Sequence, residues 1–318
     1  MTVVDWLLDA DPAIRWQALR DLAGAPGAVV ATERERVAGE GWGARLLALE
    51  GDDGLWEGGA LFPARDGKPL PWSREDGQPW TATAYALQQL LEFGVDPADH
   101  RVRRAIDLVR ANARWEHDNQ PYFEGEVEPC LNAMVVVQGA YFGVDVEPVV
   151  ERLLGEQMAD GGWNCEAENG SVRGSFHTTI RVLEGLLLHE QATGGSDAST
   201  GARRRGEVYL LERRLLRRRS TGDVIDPAFL QFSYPARWHF DVLRGLDYFR
   251  STDDVPDPRL DEAIDLVRSK QEPDGRWLLE HTWKGAIPFQ MEDGDGRPSR
   301  WNTLRALRVL GWYDGAAA

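Results

Sequence analysis

The sequence feature that most constrains this chain is a four-residue pattern, Asp-Gly-x-Trp, that occurs three times. In such a pattern the Gly accepts a positive φ at the end of a helix, and the Trp folds back as a large apolar anchor. Its recurrence predicts a repeat architecture, because each unit needs its neighbours to bury its apolar face. The copies are Asp53-Gly54-Leu55-Trp56, Asp160-Gly161-Gly162-Trp163 and Asp274-Gly275-Arg276-Trp277.

Two kinds of helical pattern alternate along the chain. One kind is rich in charged residues and ends at the Asp-Gly turn, whereas the other is more apolar and begins near Trp80, Phe176, Trp238 or Arg300. We expect the apolar kind to form an inner ring whose helix N-termini meet at one mouth. Because no strand pattern competes, the sequence predicts an all-α fold. It is an α/α toroid over residues 41–318, preceded by an N-terminal helical cap over residues 1–40.

The second and third copies also carry a Gln three residues before the Asp, Gln157 and Gln271. With this Gln the pattern resembles the QW motif of squalene and other triterpene cyclases. Their β-type domains share an α/α toroid with protein prenyltransferase β-subunits, and the resemblance runs from about Trp42 to Trp312. It implies a toroid enzyme that acts on an apolar, isoprenoid-like small molecule. In the prenyltransferases a separate subunit completes the site.

Composition narrows the function further. The net charge of -16 argues against a nucleic-acid partner. The chain has no basic leader followed by an apolar run and no apolar run long enough to span a bilayer, so we expect a cytoplasmic protein without a transmembrane segment. The absence of a phosphate-cradling Gly loop, a dinucleotide fingerprint and a Gly-x-Ser-x-Gly elbow argues against a nucleotide cofactor and against serine-hydrolase chemistry.

The most specific set of candidate site residues is Glu128, Cys130, Cys165 and His177. Carboxylate, thiolate and imidazole are a zinc-compatible set, and three protein ligands leave one position open for chemistry. Aligning Gly139 with its counterpart in the next inner helix places Cys130 and His177 at the starts of adjacent inner helices, with Cys165 on the turn between them. We therefore expect zinc or another divalent transition metal at the cavity mouth, held by Cys130, Cys165 and His177, with Glu128 as a further candidate.

The same residues carry a second resemblance. Protein prenyltransferase β-subunits hold zinc on an Asp-x-Cys pair at the start of one inner helix and on a His that opens a later one. Glu128-Pro129-Cys130 and His177-Thr178-Thr179 are similar to those two elements. Glu replaces Asp, Cys165 is additional, and residues 115–151 contain no Lys or Arg, which argues against a diphosphate substrate. The alternative is that Cys130 and His177 are ordinary helix-start residues.

Chemistry of the triterpene-cyclase type needs an Asp-x-Asp-Asp acid, and the chain lacks that tetrad. Asp241, next to His239, is the candidate acid for a metal-free mechanism. Its alternative is an ion pair with Arg237 or Arg244 one turn away.

Thirteen Trp residues are consistent with a cavity lined by aromatic rings that holds an apolar ligand. The candidate lining residues are Trp80, Tyr85, Trp238, Phe240 and Trp301. Three functions remain open: a metal-dependent transferase, lyase/cyclase or hydrolase; a metal-free terpenoid cyclase or isomerase; and a non-catalytic toroid that binds a ligand or a protein.

Overall fold

The computed structural model describes residues 1–315. That part of the chain forms thirteen α-helices and two small antiparallel sheets, and none of its helices is both long and apolar enough to cross a membrane. The helices are α1 (Val3–Leu8), α2 (Pro12–Asp21), α3 (Gly27–Glu35), α4 (Gly41–Leu47), α5 (Thr83–Phe93), α6 (His100–Asn112), α7 (Pro129–Phe142), α8 (Glu147–Gly155), α9 (Phe176–Thr193), α10 (Asp197–Leu211), α11 (Val242–Ser251), α12 (Asp261–Ser269) and α13 (Arg300–Gly315). The strands β1 (Ala64–Arg65) and β2 (Lys68–Pro69) pair with each other, as do β3 (Trp277–Leu278) and β4 (Pro298–Ser299).

Six of these helices form a closed inner ring. In ring order α5, α7, α9, α11 and α13 each contact the next, and α2 contacts both α13 and α5. The helices α3, α8, α10 and α12 pack against α2, α7, α9 and α11 as an outer layer. The predicted all-α toroid is therefore confirmed.

The seam between α2 and α13 joins distant parts of the sequence. Arg308 in α13 donates to the side-chain oxygen of Gln17 in α2 at 2.8 Å and also pairs with Asp21. The helix α2 lies in the segment predicted as a cap, residues 1–40, and it completes the ring. A domain boundary at residue 40 stays a prediction, and residues 316–318 of the predicted toroid lie outside the described residues.

The Asp-Gly-x-Trp repeat ties the helices α4, α8 and α12 to the inner ring. The indole N–H of each Trp donates to a backbone carbonyl near the end of the preceding helix, and the backbone N–H of the same Trp donates to a Thr hydroxyl at the start of the next inner helix. The indole bonds are Trp56 to Leu46 at 2.7 Å, Trp163 to Leu153 at 2.7 Å and Trp277 to Val267 at 2.8 Å. The backbone bonds are to Thr83 at 3.1 Å, Thr179 at 3.0 Å and Thr303 at 3.0 Å.

The Gly of each copy has the backbone conformation that the turn requires. Gly54, Gly161 and Gly275 have φ of +81°, +87° and +84°. Residues with a Cβ atom rarely adopt this backbone region without strain, so Gly is needed at each turn. The three Trp side chains are at most 1% exposed and anchor the turns in the core.

Two helix boundaries differ from those that the sequence pattern indicates. Residues 194–201, whose Gly, Ser and Thr content is typical of a loop, include the start of α10, because Ser196 and Ser199 form a reciprocal capping box there. The pattern also indicates a helix from Arg237, but α11 begins at Val242. Arg237 has φ of +56°, and Asp241, four residues after the expected start, caps the helix.

Candidate metal site and central cavity

A tightly held loop positions the first turn of α7. Gly125 has φ of +90°, and the Asn132 side chain bonds both backbone groups of Glu126, accepting from N at 2.7 Å and donating to O at 2.8 Å. Pro129 occupies the first helical turn, where the missing N–H has no intrahelical partner to lose. These contacts place Glu128 and Cys130 at the end of the ring where the inner helices begin.

Cys165 reaches the same place from the turn after Trp163, where it opens a short 3-10 helix. Its Sγ lies 3.5 Å from the Thr178 hydroxyl in the first turn of α9, and Cys130 Sγ lies 3.3 Å from a carboxylate oxygen of Glu128. One oxygen of Glu128 and the two sulfur atoms all lie within 4.8 Å of one another. Two separate turns thus bring three metal-ligating side chains together, and we call this set the cysteine cluster.

The two thiols of the cysteine cluster differ in acidity. The hydrogen bond from Cys130 lowers the pKa of the Cys165 thiol, and the Thr178 hydroxyl acts in the same direction. The same bond between the sulfurs raises the pKa of Cys130, as does burial, while the positive charge of Arg181 opposes this. Cys165 is therefore the first of the pair to ionise.

His177, the other predicted ligand, lies outside the cysteine cluster. Its Nδ1 accepts the backbone N–H of Phe240 at 2.8 Å, and its ring packs edge-on against Phe229 and Trp238. Burial lowers the pKa of His177 to about 4, so its imidazole is neutral near pH 7. The contact with Phe240 occupies Nδ1 and leaves Nε2 as the nitrogen that a ligand would have to use.

Asp241 and His239, the residues of the metal-free hypothesis, are built into the ring wall. Asp241 is 1% exposed, and its two oxygens accept the backbone N–H of Arg244 at 2.8 Å and the Ser233 hydroxyl at 3.1 Å. The His239 ring stacks between two Trp rings, and burial lowers its pKa to about 2. The Arg244 guanidinium pairs with Glu184 at 2.6 Å and not with Asp241. The carboxylate of Asp241 therefore acts as the cap of α11 through its bond to the Arg244 backbone.

The aromatic residues expected to face the lumen separate into three groups. Trp301 lines a central cavity. Trp80, Tyr85 and Phe240 are at most 3% exposed and pack against other rings, Trp80 on Tyr85 and Phe240 on Phe176 and Phe229. Trp238 is 38% exposed and lies at the surface.

The central cavity has a volume of about 470 Å³ and receives side chains from all six inner helices. Most of its lining lies in the second halves of those helices, as with Glu92 and Tyr141, while Tyr234, Arg237 and Trp301 reach it from the segment before α11 and from the first turn of α13. Seven arginine side chains face it, against three carboxylates. The cavity is therefore cationic in a chain whose net charge is -16.

A sequence signal for these arginines exists but is easily missed. Arg305, which lines the cavity, and Arg181, which donates to the backbone carbonyl of the cavity residue Arg237, each stand two residues after the Thr that bonds a repeat Trp. In the first repeat the equivalent position is Tyr85. A charged residue at that register of an inner helix must point into the ring, which makes it a candidate for function.

Comparison with known proteins gives a fold neighbour and no family. No family model matches the chain, and no curated protein matches it. Among solved structures the chain is similar to a variant of the type II terpene cyclase MstE from Scytonema, in complex with geranylgeranyl dihydroxybenzoate, its substrate. The two share 15% sequence identity over 90% of this chain and 97% of that chain, with a TM-score of 0.36. The architecture of this chain rests on the closed ring of its own helices.

Proposed function

We propose that this chain is a metal-dependent enzyme, in which the cysteine cluster holds a divalent transition metal, zinc in the first instance. The observation that supports this is the approach of Glu128, Cys130 and Cys165, whose ligating atoms lie within 4.8 Å of one another. Thiolate sulfur and carboxylate oxygen are zinc ligands, and a set of three leaves a position for a reacting molecule. The donor set therefore fits a catalytic metal better than a closed structural one.

The residues around the cluster prepare it for such a role. Thr178 and Cys130 favour the thiolate form of Cys165, and the buried Arg181 favours negative charge on Cys130. Asn132 fixes the loop that carries Glu128. A metal in this place supplies Lewis-acid polarisation and lowers the pKa of a bound thiol, hydroxyl or water. The reaction class we propose is accordingly transfer, cyclisation or elimination, or hydrolysis on a small molecule with an apolar part.

Metal analysis of the purified chain tests this proposal. Under reducing conditions with equimolar zinc we expect about one zinc per chain after dialysis, and Co²⁺ in its place should give a thiolate-to-metal charge-transfer band. Cys130→Ser and Cys165→Ser should each abolish that band. Glu168→Gln, an exposed carboxylate on the turn that carries Cys165, is the matched control for Glu128→Gln and should retain the metal.

Two results would overturn the proposal. One is the absence of stoichiometric metal in the wild-type chain although both thiols are reduced. The other is full metal retention when Cys130 and Cys165 are replaced together. Either result would favour the non-catalytic toroid, since Asp241, the candidate acid of the metal-free mechanism, is engaged as a helix cap.

A further inference from the structure

The arginines around the central cavity are only partly neutralised by protein carboxylates. Arg244 pairs with Glu184, and Asp247 is shared by Arg250 at 2.8 Å and Arg305 at 3.8 Å. Arg20 and Arg308 share Asp21 in the same way. Two cations against one carboxylate leave a positive charge at each of the two shared sites.

Two further arginines have no carboxylate partner within residues 1–315. Arg34 donates to the backbone carbonyl of Gly94 at 2.9 Å and to the phenol of Tyr141 at 3.1 Å. Arg237 is 7% exposed, and among the described residues its guanidinium has neither a hydrogen bond nor an ion pair and lies 5.2 Å above the Trp80 ring. Burial lowers the pKa of Arg237 to about 10, and the negative charge of Glu92, which also lines the cavity, opposes this without forming an ion pair. A buried cation whose counter-charge is not in direct contact gains from a closer anion, so Arg237 is suited to bind one.

The backbone at Arg237 carries a second sign of function. Its φ of +56° is uncommon for a residue with a side chain and is maintained by the surrounding structure. Such local strain concentrates at binding and catalytic sites. The residue lies on the segment before α11 and contributes to the cavity lining.

Several buried polar atoms around the same cavity also lack partners. Among the described residues, the indole N–H of Trp301, the Nε–H of Arg308, the hydroxyl of Tyr234 and one carboxylate oxygen of Glu92 have none. The first three can each donate a hydrogen bond, and leaving a buried donor unsatisfied is unfavourable. The Trp301 and Tyr234 rings stack at 4.5 Å between centroids and offer an apolar wall beside these donors.

We propose that the central cavity binds a small anion in which one oxyanion group, a carboxylate or a phosphate, is attached to an aromatic or apolar body. Arg237 is the anchor for the oxyanion, and the surplus charge of the other arginines adds to the attraction. The Trp301 and Tyr234 wall receives the apolar body. A volume of about 470 Å³ suits a ligand of this size. The cavity and the cysteine cluster share no residue, so this inference stands apart from the proposed metal function.

Titration with matched probes tests the inference. The probes are 2-naphthoate, 2-naphthyl phosphate and the neutral 2-naphthamide, followed by calorimetry and by the tryptophan fluorescence to which Trp16 and Trp301 contribute. We expect at least one of the two anions to bind tenfold or more tightly than the amide. The tighter of the two anions identifies the oxyanion.

Variants locate the binding site. Arg237→Gln should weaken anion binding at least tenfold, Arg237→Lys should recover part of it, and Arg34→Gln should weaken it severalfold. Arg103→Gln, an exposed arginine on the outer helix α6, is the matched control and should leave the dissociation constant unchanged. Circular dichroism and thermal melting verify that each variant is folded. Equal binding of amide and anions, or wild-type affinity in folded Arg237→Gln, would overturn the inference.

Discussion

Two regions of the ring interior are built in opposite ways. Where the inner helices begin, the cysteine cluster gathers thiols and a carboxylate from two neighbouring turns. Around the central cavity, arginines from several helices outnumber their carboxylate partners. The first arrangement suits a cation and the second suits an anion. The two proposals therefore assign two sites of opposite charge preference to one fold, and each can be tested without the other.

The largest effect is expected from removing the cysteine cluster. Cys130→Ser combined with Cys165→Ser should reduce bound metal from about one per chain to none, while the affinity of the cavity for an anion changes less than twofold. Independence follows because the two sites share no residue. Parallel metal analysis and calorimetry on the same protein measure both quantities. A tenfold loss of anion affinity in this variant would show that the cysteine cluster and the central cavity form one site.

The next effect concerns Asp241, which lies at the same end as the cysteine cluster. Asp241→Ala should reduce the free energy of unfolding by about 3 kcal/mol, because it removes a helix cap and leaves the Ser233 hydroxyl and the Arg244 N–H without their partner. Asp241→Asn keeps most of the capping bond and should lose less than half as much. Urea denaturation measures both variants. Equal stability of the Ala variant and the wild type would contradict the capping role.

A third prediction distinguishes the two regions by how each responds to pH. The pKa of His177 is about 4 in the folded chain and 6.5 as an ordinary value, so the unfolded chain binds more protons between these values. The contribution of neutral His177 to the free energy of unfolding is therefore complete above pH 6.5. It is lost as the pH falls toward 4, by on the order of 2 kcal/mol. His177→Gln should flatten this part of the stability curve relative to wild type.

The cavity should not respond over the same range. Its cations are arginines, which remain protonated, so affinity for a fully ionised anion should stay constant between pH 5 and 8. Binding of 2-naphthoate at several pH values measures this. A fall in affinity that followed the titration of His177 would mean that His177 or its neighbours take part in anion binding.

The smallest effect is a gain in stability. Arg237→Met removes a buried cation that lacks a carboxylate partner, and an apolar side chain of similar length can occupy its place against Trp80. We expect the free energy of unfolding to rise by about 1 kcal/mol while anion binding is lost. Thermal melting with and without the anion gives both values. A lower melting temperature would show that Arg237 is already neutralised within the fold.

The ring was predictable from sequence because its signals are local. Each Trp anchor bonds a carbonyl ten residues earlier, as Trp163 does with Leu153, and the positive-φ Gly lies within the same turn. Cys130 and Cys165 could be placed at one mouth for the same reason, since each lies close to a recognisable helix start. Whether they hold a metal stays a prediction.

The arginine cavity was not predicted as a whole because its contacts are long-range. Arg244 contacts Glu184 on another helix 60 residues away, and Arg308 contacts Gln17 across 291 residues. The absence of cations from residues 115–151 argued against a diphosphate substrate, and the arginines around the cavity come from other segments of the ring. Helical spacing likewise does not show whether Trp80, Tyr85 and Phe240 face the lumen or pack in the wall, and the structure buries all three.

The seam between α2 and α13 has a consequence for how the ring forms. The hairpins α5–α6, α7–α8 and α9–α10 have short loops to close, whereas the contact between Arg308 and Gln17 must organise almost the whole chain first. We expect the helical hairpins to assemble in sequence order and the seam to close last. In the native state the same seam should be an early route of sub-global opening, so amide hydrogens of α2 should exchange faster than those of α7 and α9. Access to the interior of the ring would then depend on the opening of the α2–α13 seam as well as on the two ends of the ring.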